Sequence, residues 1–358
     1  MTLPFKQPPK SICILRLSAI GDICHTLPIV RTLQKHWPTT QLTWIIGKTE
    51  YALVSDITDI NFIVFDKSKG FTAYKEIYNH LKHLEFDALL HMQMSLRTSI
   101  ISTLVKTKIK LGFDKQRAKD GQWLFSNNKI PYKPQQHVID SFFGFTETLG
   151  IPQHEYSWDI PVQAHTSKLN TEQAYIVISP CSSMAYRNWT SEGYAAIADI
   201  IQEKYNLQVI LSGGSSTIEK EMGEAISKKV KRPIVNLIAK TNLKQLLSLL
   251  QNAQCVVSPD SGPAHIATAV NTPVVGLYAT TNPDRARPYL SSDWIVNRYP
   301  DAIRKKFKSS VAQVKWGARV RDSWAMQLIS VDDVMDKFDK LIAANPVYLQ
   351  KETTTDSE

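Results

Sequence analysis

From residue 11 onward, short runs of apolar, β-favouring residues alternate with longer amphipathic stretches. ICILRL, QLTWII, NFIVF and DALLHM read as strands, and 26–36, 51–55, 73–84 and 97–105 as the helices between them. Continuous apolar runs bounded by helical periodicity are the signature of parallel strands joined by crossover helices, because a parallel sheet is covered on both faces. A further helix is predicted over 138–149; Gly150 offers a C-terminal stop and Pro152 prevents continuation.

The stretch 151–171, with Pro152 and Pro161 and little periodicity, reads as a linker, after which the same pattern restarts. AYIVIS, QVILSG, PIVNLI, QCVVSP and PVVGLYA are strands, and 191–205, 217–229, 243–251 and PAHIATAV are helices. A chain of 358 residues exceeds the size at which single cores divide. The expected architecture is therefore α/β, with two Rossmann-like doubly wound domains facing each other across a cleft, 1–163 and 164–330. The run 331–344 is expected to pack back on the first domain, and 345–358 to be a frayed polar tail. No repeat of solenoid period interrupts this pattern. The 24 residues from Asp301 to Trp324 are long for a plain connection and read as a membrane-facing loop or a lid over a ligand.

Composition leaves this picture in place: 43% hydrophobic and 21% charged residues are ordinary globular usage. Cys13, Cys24, Cys181 and Cys255 are scattered without a CxxC pair and read as reduced core thiols. The first ten residues contain no continuous apolar segment, and no later run approaches the ~20 residues needed to span a bilayer, so a cytoplasmic location is expected. The net charge of +9 calls for an acidic partner: a phosphorylated small molecule, a nucleic acid or an anionic membrane face. A basic face that only aids solubility is the plainer alternative. Nothing in the sequence specifies an oligomeric state.

Four segments carry candidate chemistry. In RLSAIGDICHTLP, 16–28, a strand leads through a lone Gly21 to Asp22 and His25. A dinucleotide fingerprint needs three glycines, and a carboxylate here would repel phosphate, so Asp22 suits a base, an orienting group or a helix cap. In SPDSGPAH, 258–265, Asp260, Ser261 and Gly262 precede a helix start, with His265 close behind. Free amides there, with a glycine permitting close approach, form a phosphate cradle; Asp260 as a simple N-cap is the alternative. SPCSSMAYRNW, 179–189, adds Ser182, Ser183 and Arg187, hydroxyls and a guanidinium able to converge on one anion. LSGGSSTIEKE, 211–221, places Glu219 near a helix start, fit for ribose hydroxyls or for solvent.

These elements, in this order, resemble the ADP-heptose:lipopolysaccharide heptosyltransferases of glycosyltransferase family 9, which have the GT-B fold. The likeness runs from about Ser11 to the last helix and is strongest at Asp260–His265 with LYATTNPDRARPY, supported by Gly21-Asp22 and HTLP. It implies Asp22 as catalytic base toward an acceptor hydroxyl. The diphosphate of ADP-heptose would lie on Ser182, Ser183 and Arg187 with Ser261, Gly262 and His265 beside them, Glu219 near the ribose, and Asp260 on the heptose. On the acceptor side, Gln93, Arg97, Asp114, Arg117 and Lys119 would meet the anionic groups of Kdo-lipid A at an anionic membrane surface. The implied location is peripheral, on the cytoplasmic face of the inner membrane. Serines stand where relatives carry threonines, and arginine where lysine is common. His91 and His137 lack ligand spacing, and neither a metal nor a cofactor is expected. Of the family's members, those that add the first heptose to Kdo look nearer. The rivals are a GT-B transferase or epimerase using a UDP-sugar, and a basic nucleic-acid-binding protein; no RRM, KH or zinc motif supports the latter.

Overall fold

The computed structural model describes residues 2–162 and 173–344 and divides into two compact units, Met1–Pro161 and Val162–Glu358. The expected polar tail and residues 163–171 of the expected linker lie outside the described residues.

In the first unit the strands are β1 (Ser11–Leu15), β2 (Gln41–Gly47), β3 (Ile60–Phe65), β4 (Glu85–Phe86), β5 (Ala88–His91), β6 (Lys106–Thr107), β7 (Lys110–Gly112) and β8 (Asn128–Lys129). The helices are α1 (Ile20–His36), α2 (Lys48–Val54), α3 (Phe71–Leu81), α4 (Leu96–Leu104) and α5 (Val138–Leu149). The main sheet runs β3-β2-β1-β5-β7-β8, and β4 pairs with β6. Every pairing is parallel, with Ile12 opposite Leu42 on one side and Ala88 on the other. Successive residues of β1 point to opposite faces, and both faces are buried. Cys13 and Leu15 join Ile77, Leu81, Leu89 and Ile101 in one cluster, and Ile12 and Ile14 are equally inaccessible.

The second unit repeats the plan. Its strands are β9 (Tyr175–Ile178), β10 (Gln208–Leu211), β11 (Val235–Asn236), β12 (Val256–Pro259), β13 (Val274–Tyr278) and β14 (Ile295–Asn297), in the order β11-β10-β9-β12-β13-β14. Its helices are α6 (Ser191–Tyr205), α7 (Thr217–Lys229), α8 (Leu243–Gln251), α9 (Gly262–Ala269), α10 (Pro283–Ala286), α11 (Tyr299–Phe307) and α12 (Val331–Ala344). In both sheets the chain leaves the first strand in one direction and later returns to its other side. This creates a topological switch between β1 and β5, and another between β9 and β12, the position at which open α/β sheets bind ligands.

Three differences from expectation have clear causes. First, α12 belongs to the second unit: Val334, Phe338, Leu341 and Ile342 are buried in its core, with Ile197, Ile201 and Leu277. Lys204 and Tyr205 of α6 bind Asp339, and Arg298 binds Asp333. The apolar stripe was legible, but the surface it covers is a matter of tertiary packing. Second, residues 301–324 are structured: α11, Val311–Gln313 and Ser323–Leu328 form helical turns, and Val320 is buried with its amide on the Thr280 carbonyl, 2.9 Å.

Third, α1 begins at Ile20 rather than at residue 26 and runs through Pro28. Proline removes the bond to the carbonyl four residues back, which is that of Cys24. The Trp158 indole N–H donates to this carbonyl at 2.8 Å. The first turns, carrying Asp22 and His25, thus stay helical despite the proline. Trp158→Phe, which leaves the buried carbonyl unpaired, is expected to destabilise the first unit by about 1–3 kcal/mol in urea unfolding. In a Pro28→Ala background, where residue 28 regains its amide, the loss should be smaller.

Candidate active site

In the first unit the site is built where β1 ends. The Arg16 carbonyl accepts from the Trp44 indole at 3.1 Å, and Gln93 Oε1 accepts from the amides of Leu17 and Ser18 at 2.7 and 3.2 Å. Neighbouring β2 and the segment after β5 thereby fix the loop on both sides. Arg16 is 7% exposed; its guanidinium bonds the Met92 carbonyl, lies over the Phe142 ring and pairs with Asp22 Oδ2. Asp22 is the third residue of α1, and the same Oδ2 accepts from the amide of Ala19, the residue before the helix, at 3.3 Å. Its capping role is therefore real but partial. Among the described residues Oδ1 faces His25 Nδ1, at 3.9 Å, and the side chain remains 36% exposed.

Burial by itself raises the Asp22 pKa. Arg16, His25 and the Ala19 amide outweigh it and hold the carboxyl well below the usual carboxylate range. The balance favours the ionised carboxylate, with Oδ2 held by Arg16 and the Ala19 amide and Oδ1 beside His25.

The acceptor-side candidates divide. Gln93 braces the β1–α1 loop. Asp114 and Arg117 pair with each other, Asp114 also accepts from the amides of Gln116 and Arg117, and Arg117 further donates to Ser141 Oγ and the Pro131 carbonyl. Their polar groups thus secure the loop after β7. Arg97, beside the Phe65 ring, and Lys119 are exposed and make no ion pair among the described residues. His91 is a core residue whose pKa burial, with Lys110 nearby, pushes down to about 4. His137 caps α5, its Nδ1 accepting from the Ile139 amide at 3.2 Å.

In the second unit the candidates after β9 and β12 meet at the other switch. Ser261, not Asp260, is the N-cap of α9, whose first turn offers the amides of Gly262 and Ala264, Pro263 having none. The Asp260 carboxylate instead pairs with Arg187 Nη1 at 3.1 Å and faces His265 Nε2 at 3.8 Å. Arg187 also donates to the Asp260 carbonyl at 3.2 Å. Burial raises Asp260; His265, Arg187 and the Thr281 hydroxyl outweigh it, and the carboxyl lies below its ordinary value. Ser182 is partly engaged, its amide on Asn188 and its hydroxyl accepting from the Met184 amide, whereas the exposed Ser183 hydroxyl makes no hydrogen bond among the described residues. Under this loop lies Trp189, buried and donating to the Ile329 carbonyl at 3.0 Å. A Cβ on Gly193 would sit 2.4 Å from its ring, so the indole requires glycine there. Ser216 caps α7 by accepting from the Glu219 amide at 3.3 Å, and the Glu219 carboxylate accepts from the Gly214 amide and the Ser216 hydroxyl at 2.7 and 2.6 Å.

Sequence reasoning missed Arg16 as the partner of Asp22, and a line of serines beneath the cradle. Ser212 Oγ meets Ser179 Oγ at 2.5 Å, Ser258 donates to the Ser179 carbonyl at 3.1 Å, and Ser258 Oγ meets Ser261 Oγ at 2.7 Å. Three adjacent strands end in serine, VIS, ILS and VVS, a signal visible only once the strand order sets them side by side.

The Asp260 shift has a consequence for stability. A carboxyl whose folded pKa lies below its unfolded value, about 3.9, stabilises the fold above that pH and loses the contribution as pH falls toward the folded value. Asp260→Asn should therefore flatten the decline in urea midpoint of the second unit between pH 5 and 3.

The glycosyltransferase family 9 (heptosyltransferase) model matches residues 75–315. The lipopolysaccharide core heptosyltransferase OpsX of Haemophilus influenzae is 41% identical over 344 residues, covering 94% of this chain and 98% of that protein. Among solved structures, a glycosyl transferase family 9 protein from Veillonella parvula superposes with a TM-score of 0.76 at 19% identity, covering 94% of this chain and 98% of its own. The E. coli heptosyltransferase WaaC with ADP gives 0.69 at 19%, covering 92% and 99%; these two likenesses establish the GT-B-like fold. The family model and the 41% identical relative together show that the chain belongs to glycosyltransferase family 9, as an enzyme of glycosyl transfer.

Proposed function

We propose that this enzyme transfers a heptosyl residue from ADP-heptose to a Kdo sugar of lipid A, with inversion, and that Asp22 is its general base. The observation that carries the reading is the Asp22 carboxylate, ionised and oriented by Arg16 through Oδ2 while Oδ1 stays open. The name of the 41% identical relative supports heptose and lipopolysaccharide core, and the ADP in the WaaC structure supports the nucleotide.

In the proposed step the acceptor oxygen attacks the anomeric carbon and the bond from that carbon to the β-phosphate oxygen breaks, ADP leaving with the electron pair. The acceptor proton passes to Asp22 Oδ1. A carboxylate paired with arginine is a weak base, but the hydroxyl becomes strongly acidic as its oxygen bonds to carbon, so transfer late in the step suffices. The donor would lie on the second unit. Ser183, Ser182 and the amides of Gly262 and Ala264 would hold the diphosphate; Asp260, oriented by Arg187 and His265, would accept from heptose hydroxyls; Glu219 would meet the ribose. Arg97 and Lys119 would meet carboxylates or phosphates of the acceptor. No helix among the described residues is long and apolar enough to cross a membrane, and the proposed location is peripheral, on the cytoplasmic face of the inner membrane, where such an acceptor would be presented.

The test is transfer of heptose from ADP-heptose to Kdo-lipid A, read by mass spectrometry of the product. Asp22→Asn should lose at least about a hundredfold in kcat with ADP affinity retained. Absence of product from wild type that still binds ADP would move the assignment to another acceptor, and binding of UDP in place of ADP to another donor. In wild type the acid limb of kcat/KM due to Asp22 should lie below the ordinary carboxylate range. Arg16→Met removes the lowering charge, so that limb should move to higher pH.

A further inference from the structure

We propose that Arg319 is a donor-binding residue that holds the diphosphate of the nucleotide sugar; this rests on the reading that the second unit takes ADP-heptose. Thr281 and Arg319 are partners in an antiparallel bridge. Residues directly opposite in such a bridge send their side chains to the same face, with Cβ atoms about 4.5–5.5 Å apart. Thr281 is 5% exposed, its buried hydroxyl has no hydrogen-bond partner among the described residues, and it stands close enough to the Asp260 carboxyl to help lower its pKa. The Arg319 side chain therefore leaves the backbone beside the Asp260, Arg187 and His265 cluster. The backbone at this point is fixed: the Val320 amide donates to the Thr280 carbonyl at 2.9 Å, Tyr299 Oη to the Ala318 carbonyl at 3.0 Å, and Asn282 Nδ2 reaches the Trp316 carbonyl at 3.5 Å.

The charges of the cluster leave a task for this residue. Arg187, the guanidinium expected to meet the diphosphate, is bound to the Asp260 carboxylate, so the two formal charges cancel locally. A sugar diphosphonucleotide brings two negative charges, and a third develops on the β-phosphate as the sugar departs. Arg319 is exposed and forms no hydrogen bond or ion pair among the described residues. Its fork of donors suits phosphate oxygens. A cation aimed at the charge that appears during the reaction lowers the barrier as well as the dissociation constant. Of the other cations of the segment, Lys306 pairs with Asp322, Lys305 lies over Trp324 and Arg304 approaches Asp301, while Lys308, Lys315 and Arg321 are exposed and make no ion pair among the described residues but do not stand opposite Thr281 in the bridge.

The experiment compares wild type, Arg319→Ala, Arg319→Lys and Lys308→Ala by calorimetric titration with ADP and with adenosine, at 50 and 200 mM salt, alongside steady-state kinetics with ADP-heptose. Lys308→Ala removes the same formal charge from an exposed position on the segment and controls for the long-range field. Arg319→Ala should weaken ADP by at least about tenfold, leave adenosine within twofold, shallow the salt dependence and lower kcat/KM. Arg319→Lys should recover part of the loss, and Lys308→Ala should leave every value within twofold. Unchanged ADP affinity in Arg319→Ala, an equal loss for adenosine, or an equal loss in Lys308→Ala would overturn the assignment. A wild type that binds no ADP would overturn the donor reading and this inference with it.

Discussion

At the carboxyl edge of each sheet an arginine holds an aspartate, Arg16 on Asp22 and Arg187 on Asp260, and the candidate chemistry depends on these two pairs. A carboxylate partly withdrawn from water is destabilised in its charged form unless an opposite charge meets it. In both, the arginine together with a neighbouring histidine and a hydrogen bond outweighs burial and holds the carboxyl below its ordinary value. The consequence for Asp22 is specific: Oδ2 is fixed by Arg16, while Oδ1 has His25 at 3.9 Å and the side chain stays 36% exposed. That exchanges basicity for orientation, a fair exchange when the proton to be taken becomes acidic only as the new bond forms.

The placement of these pairs follows from strand order. In each unit the central strand is left in one direction and approached again from the other, and the loops that follow diverge from the point of reversal. Polar side chains can gather there because the strand ends leave backbone groups and loop amides unshared. Trp44 and Gln93 use this in the first unit to clamp the loop after β1, and the serines at the ends of β9, β10 and β12 use it in the second. Side chains that resemble ligand-binding groups in sequence were in several cases taken by this bracing. Gln93, Asp114, Arg117 and Glu219 all hold loops first. Of the candidate cations of the first unit, Arg97 and Lys119 stay exposed.

The segment after β14 shows the converse. By spacing it is a long connection; in the structure it is a folded strap whose buried Val320 sews it to Thr280 and sets Arg319 opposite Thr281. Its charge run divides into cations engaged by neighbours, such as Lys306 and Arg304, and exposed ones placed by the fold of the strap.

The sequence by itself determined the βα alternation, the two doubly wound halves, the extents of α5, α6, α7 and α8, and which four loops carry polar groups. Those features are local: periodicity, caps and the burial of continuous apolar runs act over a few residues. Tertiary structure alone decided that α1 begins before Asp22, because Trp158, far along the chain, supplies the donor that Pro28 denies. It also decided that α12 covers the second unit, that Asp260 is paired rather than a cap, that three strand-terminal serines form a line, and that Arg319 stands opposite Thr281. Each of these is a contact between residues distant in sequence, and its energy depends on which surfaces the folded sheets bring within reach.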